Sequence, residues 1–173
     1  MGIDTTLPKI TDITIYSNNS DNQTAKAGEN VFLNFTTSEP VRDLTALDLG
    51  LSSGVVISTV GKTDTAGMEW EAVGSVQDLA SGPVTFDFQV TDRAGNQGVS
   101  VSQTTDQTSV ELDTTDPTLS GINLVSNNAN DPDAFAKPGD NLTLSFNSSE
   151  TLQTPVIILA DNASLNVVDT SGN

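Results

Sequence analysis

The chain contains no cysteine and no histidine. Without cysteine there is no disulfide framework, no thiolate nucleophile and no zinc–sulfur site. Without histidine, the commonest general base, the commonest zinc ligand and the usual partner of a serine nucleophile are all missing. Basic residues are scarce: six Lys and Arg stand against 23 Asp and Glu, a formal net charge of −17. Such a charge repels nucleic-acid phosphates and anionic lipid headgroups, so neither is an expected partner. Helix-favouring Lys, Arg and Met are few. No apolar run approaches the ~20 residues of a membrane span, so no membrane insertion is expected. No segment combines a charged start with an apolar stretch as a secretory leader does; the leader of a secreted parent is expected elsewhere.

Thr, Ser, Asn, Asp, Val and Leu dominate what is present. β-Branched residues and turn formers together predict an all-β chain. The chain also repeats itself. Ile3-Asp4-Thr5-Thr6-Leu7-Pro8 returns as Leu112-Asp113-Thr114-Thr115-Asp116-Pro117, and Ser17-Asn18-Asn19 as Ser126-Asn127-Asn128. Ala25-Lys26-Ala27-Gly28-Glu29-Asn30 returns as Ala136-Lys137-Pro138-Gly139-Asp140-Asn141, and Phe35 to Glu39 as Phe146 to Glu150. The offset is 109 residues, then 111 after a two-residue insertion. The expected organisation is therefore a complete repeat over 1–112 and a second, truncated copy over 113–173. Val167 to Gly172 tracks Val55 to Gly67, so the second copy is expected to stop before its counterpart of Trp70.

Period-2 alternation places the strands. Ile13 and Ile15 are expected inside, then Val31, Leu33 and Phe35. Leu47 and Leu49 predict a strand, and Val55 to Val60 another. Met68, Trp70 and Ala72 face one way, with Glu69 and Glu71 opposite. Val84, Phe86, Phe88 and Val90 alternate with polar residues. Val99 and Val101, then Val110 and Leu112, predict the last strand. About seven short strands separated by Gly, Asn and Asp turns predict an immunoglobulin-like antiparallel β-sandwich. The blocks quoted above, together with Asp92-Arg93-Ala94-Gly95-Asn96, resemble bacterial Ig-like repeats of large surface proteins and adhesins. That resemblance covers essentially the whole chain. It implies tandem, rod-like, often calcium-dependent modules that extend a binding domain from the cell, in a secreted or cell-surface setting.

In this topology Asp4 precedes the first strand, Glu39 follows the second, and Asp92 follows the strand over 84–90. These ends share a pole, so the three carboxylates are expected to meet there, with Asn96 in the same turn as Asp92. Asp113 and Glu150 repeat two of them in the second copy, with Asp116 added. Calcium takes six to eight oxygens, mostly carboxylate and carbonyl, and is the expected ion. The competing assignment is structural: Asp92 closing an Asx turn, Asp4 and Asp113 capping turns, and Glu39 pairing with Arg42 or Arg93. Asp21 and Asn22, with Asn130, Asp131 and Asp133 in the second copy, have irregular spacing and predict a solvated loop.

No constellation predicts an enzyme. Glu69 and Glu71 share a strand face, whereas glycosidase carboxylates flank a cleft. The expected function is a structural spacer or extender, with neighbouring Ig-like repeats of the same parent as partners. Other domains of the parent would reach a cell-surface glycan or protein. The alternative is a carbohydrate-binding adhesive module, with Tyr16 and Phe32 as an aromatic platform. The truncated copy exposes Leu142, Leu144 and Phe146. It is expected to pair with another chain or to stay partly ordered.

Overall fold

A computed structural model describes residues 2–52, 54–78, 80–131 and 135–157. The Val167–Gly172 stretch and Asp133 lie outside them. The chain divides into two compact units, Met1–Thr115 and Asp116–Asn173. It is all-β, and its one helical element among the described residues is a single 3-10 turn.

The first unit is organised by four strands: β1 (Ile10–Ser17), β3 (Asn30–Thr37), β4 (Val55–Lys62) and β5 (Glu69–Val76). They form an antiparallel sheet in the order β1-β3-β5-β4. Strict alternation in β3 puts Val31, Leu33 and Phe35 in the core. Register sets Ile13 opposite Phe35 and Ile15 opposite Leu33, and it sets Phe35 opposite Trp70. Phe35 stacks on Trp70 at 6.1 Å and meets Phe88 at 4.9 Å in a tilted contact. Val84, Phe86, Phe88 and Val90 are buried against the same cluster, as are Val110 and Leu112. Two β layers thus close over one apolar core, as period-2 patterning requires.

Several elements depart from the sequence expectation. Leu47 and Leu49 lie in a 3-10 turn, Ala46–Leu49, and not in a strand. The Asp48 carboxylate accepts from the Thr45 amide at 2.6 Å and its hydroxyl at 2.7 Å, and Gly50 ends the turn in the left-handed region. These local bonds outcompete a ladder. Leu49 is buried while Leu47 is exposed. The 84–90 segment alternates as expected but makes scattered bonds, such as Val84 N to Val110 O and the Phe88–Val101 pair, in place of a continuous ladder. Val99 is exposed. A small second sheet contains β2 (Thr24–Ala25), β6 (Ser81–Pro83) and β7 (Glu111–Asp113). Its β2–β7 pair is parallel, so not every pairing is antiparallel.

The described strands of the second unit are β8 (Leu119–Ser126) and β9 (Leu142–Ser148), an antiparallel pair. Several side-chain hydrogen bonds around this pair match those around β1 and β3. Asn19 Nδ2 donates to Glu29 at 3.1 Å, as Asn128 Nδ2 donates to Asp140 at 3.1 Å. Lys26 N donates to Glu29 at 3.0 Å, as Lys137 N donates to Asp140 at 2.9 Å. Asn30 N donates to Asn18 Oδ1 at 2.9 Å, as Asn141 N donates to Asn127 Oδ1 at 2.8 Å. Lys9 N donates to Ser38 Oγ, as Thr118 N donates to Ser149 Oγ, both at 2.9 Å.

Candidate functional site

Pairing β1 to β3 puts the Ile10 end of one beside the Thr37 end of the other. The chain segment before β1 therefore approaches the loop that follows β3. A bridge between Val41 and Asp92 brings the 92–97 turn to the same place. Asp4, Glu39 and Asp92 converge there, with one carboxylate oxygen from each lying within 4.8 Å of the others. No other group of three such residues occurs among the described residues.

Each side chain has its own support. Asp92 is fully buried. Its Oδ1 accepts from Gly95 N at 2.6 Å and Asn96 N at 2.8 Å, so the Asx turn is present. Gly95 meets the turn's left-handed backbone requirement at φ 104°. Asn96 Nδ2 donates to Asp92 Oδ2 at 2.7 Å and to the Asp4 carbonyl at 3.1 Å. Asn96 thereby ties the N-terminal segment to the turn. Asp4 Oδ1 accepts from Thr6 N at 3.0 Å. Glu39 is anchored by its backbone, whose carbonyl accepts from Thr37 Oγ1 at 2.8 Å. Its Oε1 is buried and has no hydrogen-bond partner.

The electrostatics separate these carboxylates. Burial raises the Glu39 pKa, and the charges of Asp4 and Asp92 raise it further. Burial also pushes Asp92 upward. The Asn96 side chain and the Asn96, Gly95 and Ala94 amides outweigh it and hold Asp92 below its ordinary value. Buried carboxylates are ordinarily paired or bound to a metal. Neither Arg42 nor Arg93 pairs with Glu39; the ion pair among the described residues joins Lys62 to Asp43.

Asp113, Asp116 and Glu150 do not join a three-carboxylate group. Asp113 Oδ1 instead accepts from Thr115 N at 3.0 Å, the bond that Asp4 makes with Thr6. The described second unit has no counterpart of the Asp92 turn. Asp21 takes bonds from Gln23 N and Thr24, which closes a loop. Tyr16 and Phe32 stack on each other at 5.0 Å and 7° as a cross-strand pair, which occupies one face of each ring. Glu69 and Glu71 line a shallow recess beside Trp70. Two features carry no sign in the residue pattern: the unpartnered Glu39 oxygen, and the close seat of Pro8 on Gly98. A Cβ at Gly98 would lie 2.3 Å from the Pro8 carbonyl oxygen. No protein-family model, curated protein or solved structure matches the chain.

Proposed function

We propose that this chain is a structural spacer module of a secreted or cell-surface bacterial protein. In this reading it is built from tandem immunoglobulin-like repeats and stiffened by calcium at the pole formed by Asp4, Glu39 and Asp92. The observation that carries the reading is the recurrence, in the connection between β8 and β9, of side-chain hydrogen bonds that close the connection between β1 and β3. A sequence that reproduces its turn chemistry in successive units is selected for the unit's geometry. The calcium assignment rests on the three converging carboxylates and on the buried Glu39 oxygen that lacks a partner. A hard cation would satisfy that oxygen and relieve the repulsion around it. The stacking of Tyr16 on Phe32 favours cross-strand packing over a sugar platform.

Thermal melting with calcium and with chelator tests the metal. At a calcium concentration of about 100 times the dissociation constant, one site stabilises by about 2.7 kcal/mol. For a unit of this size that raises the midpoint by roughly 10 °C. Superimposable curves at low ionic strength would remove calcium from the proposal.

A further inference from the structure

The faces of the two strand pairs fare very differently. In the first unit Ile13, Ile15, Val31, Leu33 and Phe35 are all buried. In the second, the matching Ile122 and Leu124 are 64% and 48% exposed, Leu142 is 41% exposed, and Leu144 and Phe146 are half-buried. Among the described residues, β9 pairs with β8 on one side only.

Sheet edges are normally protected by charge, proline, a bulge, shortness or a cover. The other edges carry such devices. On β1, Ile13 N donates to Thr105 Oγ1 and Ile15 N to Thr108 Oγ1, both at 3.0 Å, and the strand carries Asp12. On β4 there is an irregularity between Ile57 and Thr59, and Lys62 ends the strand. β6 contains Pro83, and β2 has two residues. β8 is irregular between Ser120 and Asn123, where Gly121 has φ 58°. Strand β9, Leu-Thr-Leu-Ser-Phe-Asn-Ser, has no charge, no proline and no irregularity of its own.

We infer that β9 is a pairing edge for a second copy of this chain, forming an antiparallel β8-β9-β9-β8 sheet about a two-fold axis at Leu144. Two features select a second copy as the occupant. In a chain of net charge −17, β8 and β9 are free of charge, so two copies meet there without like-charge repulsion across the strands. The strand is also self-complementary. With the axis at Leu144, Leu142 of each copy faces Phe146 of the other, and Leu144 faces its own equivalent. On the opposite face Thr143 meets Ser145. Apolar residues thus meet apolar ones and polar meet polar, as a two-fold interface requires. The inference concerns this chain itself and does not rest on the spacer reading or on calcium.

Sedimentation equilibrium of the full chain, in chelator, tests the pairing. A concentration-dependent dimer is expected. Because the chain has no cysteine, Leu144→Cys introduces the sole thiol. Opposed residues in an antiparallel pair lie within disulfide reach, so oxidation is expected to cross-link this variant to itself. The double variant T143K/S145K places introduced lysines opposite one another and is expected to be monomeric. Mixing it with T143E/S145E is expected to restore a dimer containing one of each. Both changes fall on exposed positions, so the monomer's fold is kept. A chain that stays monomeric at high micromolar concentration overturns the inference. So does a dimer that ignores the charge variants or fails to cross-link through Leu144→Cys. Protection, in a proven monomer, of those β9 amides that do not bond to β8 would assign the cover to the same chain and overturn it equally.

Discussion

Glu39 and Asp92 belong to one cluster yet respond to acid in opposite ways. The Glu39 pKa is raised, so its ionisation opposes folding. Its protonated form favours the folded apo protein, fully below the ordinary value of 4.5, and that contribution is lost as pH rises through the folded pKa. The Asp92 pKa is lowered, so it stabilises above its ordinary value of 3.8, and that contribution is lost as pH falls through the folded pKa. Glu39→Gln is therefore expected to raise the apo midpoint at pH 7 and to abolish the calcium response. Melting wild type and variant between pH 7 and pH 4 is expected to show the apo difference closing as wild-type Glu39 protonates. An apo midpoint at pH 7 below that of wild type would contradict the repulsion. Gly98 acts on the same site from outside. Gly98→Ala pushes Pro8 away, and with it the segment that carries Asp4. It is expected to cost about 1–3 kcal/mol as overpacking and to weaken the calcium shift. An unchanged response in calorimetry would show that Asp4 is held independently of Pro8.

Among the elements, β1 shows how an edge is closed without another strand. Thr105 and Thr108 supply hydroxyl acceptors for the amides of Ile13 and Ile15. Replacing both by Val keeps the shape and removes the acceptors. About 1–3 kcal/mol is expected for each amide left unsatisfied, with faster aggregation through the uncapped edge. Equal stability in urea titration would mean that water replaces the hydroxyls without loss. These caps were not legible in the sequence, because a threonine in a polar loop carries no sign of its partner. The strands were legible wherever burial enforces period 2, as in Val31-Leu33-Phe35 and in Val84 to Val90. The period failed at Leu47, where Asp48 and Gly50 close a local turn, and at Val99, whose side chain stays in solvent. The two-residue β2 is too short to show any period, so its parallel pairing with β7 could not be read. The meeting of Asp4, Glu39 and Asp92 follows from strand order, since all three flank strand ends at one pole. The solitary Glu39 oxygen depends on tertiary packing that no local pattern encodes.

At the scale of the molecule, the charge of −17 decides how the metal experiment is controlled. Monovalent salt screens the general repulsion of a strongly acidic chain and stabilises it on its own. A site-specific calcium effect therefore has to survive matched ionic strength and disappear in Glu39→Gln. The internal recurrence was the most legible feature of all, because like turns need like groups: the amides of Asn19 and Asn128, and the carboxylates of Glu29 and Asp140.

The chain enters and leaves the first unit at different places, which would set its response to a pulling force. The N-terminal segment enters beside the Ile10 end of β1, where Asp4 sits. The other end of β1, at Ser17, bonds into the 22–24 loop beside β2, and β2 pairs with β7, along which the chain leaves. Entry and exit thus lie at opposite ends of the sheet. Tension applied through the chain would pull β1 lengthwise against β3 and the 105–108 hydroxyls. The bonds along that register would then be strained together in shear and would not peel one at a time. An ion held by Asp4, Glu39 and Asp92 would sit where that tension first arrives, clamping the leading segment before β1 is loaded.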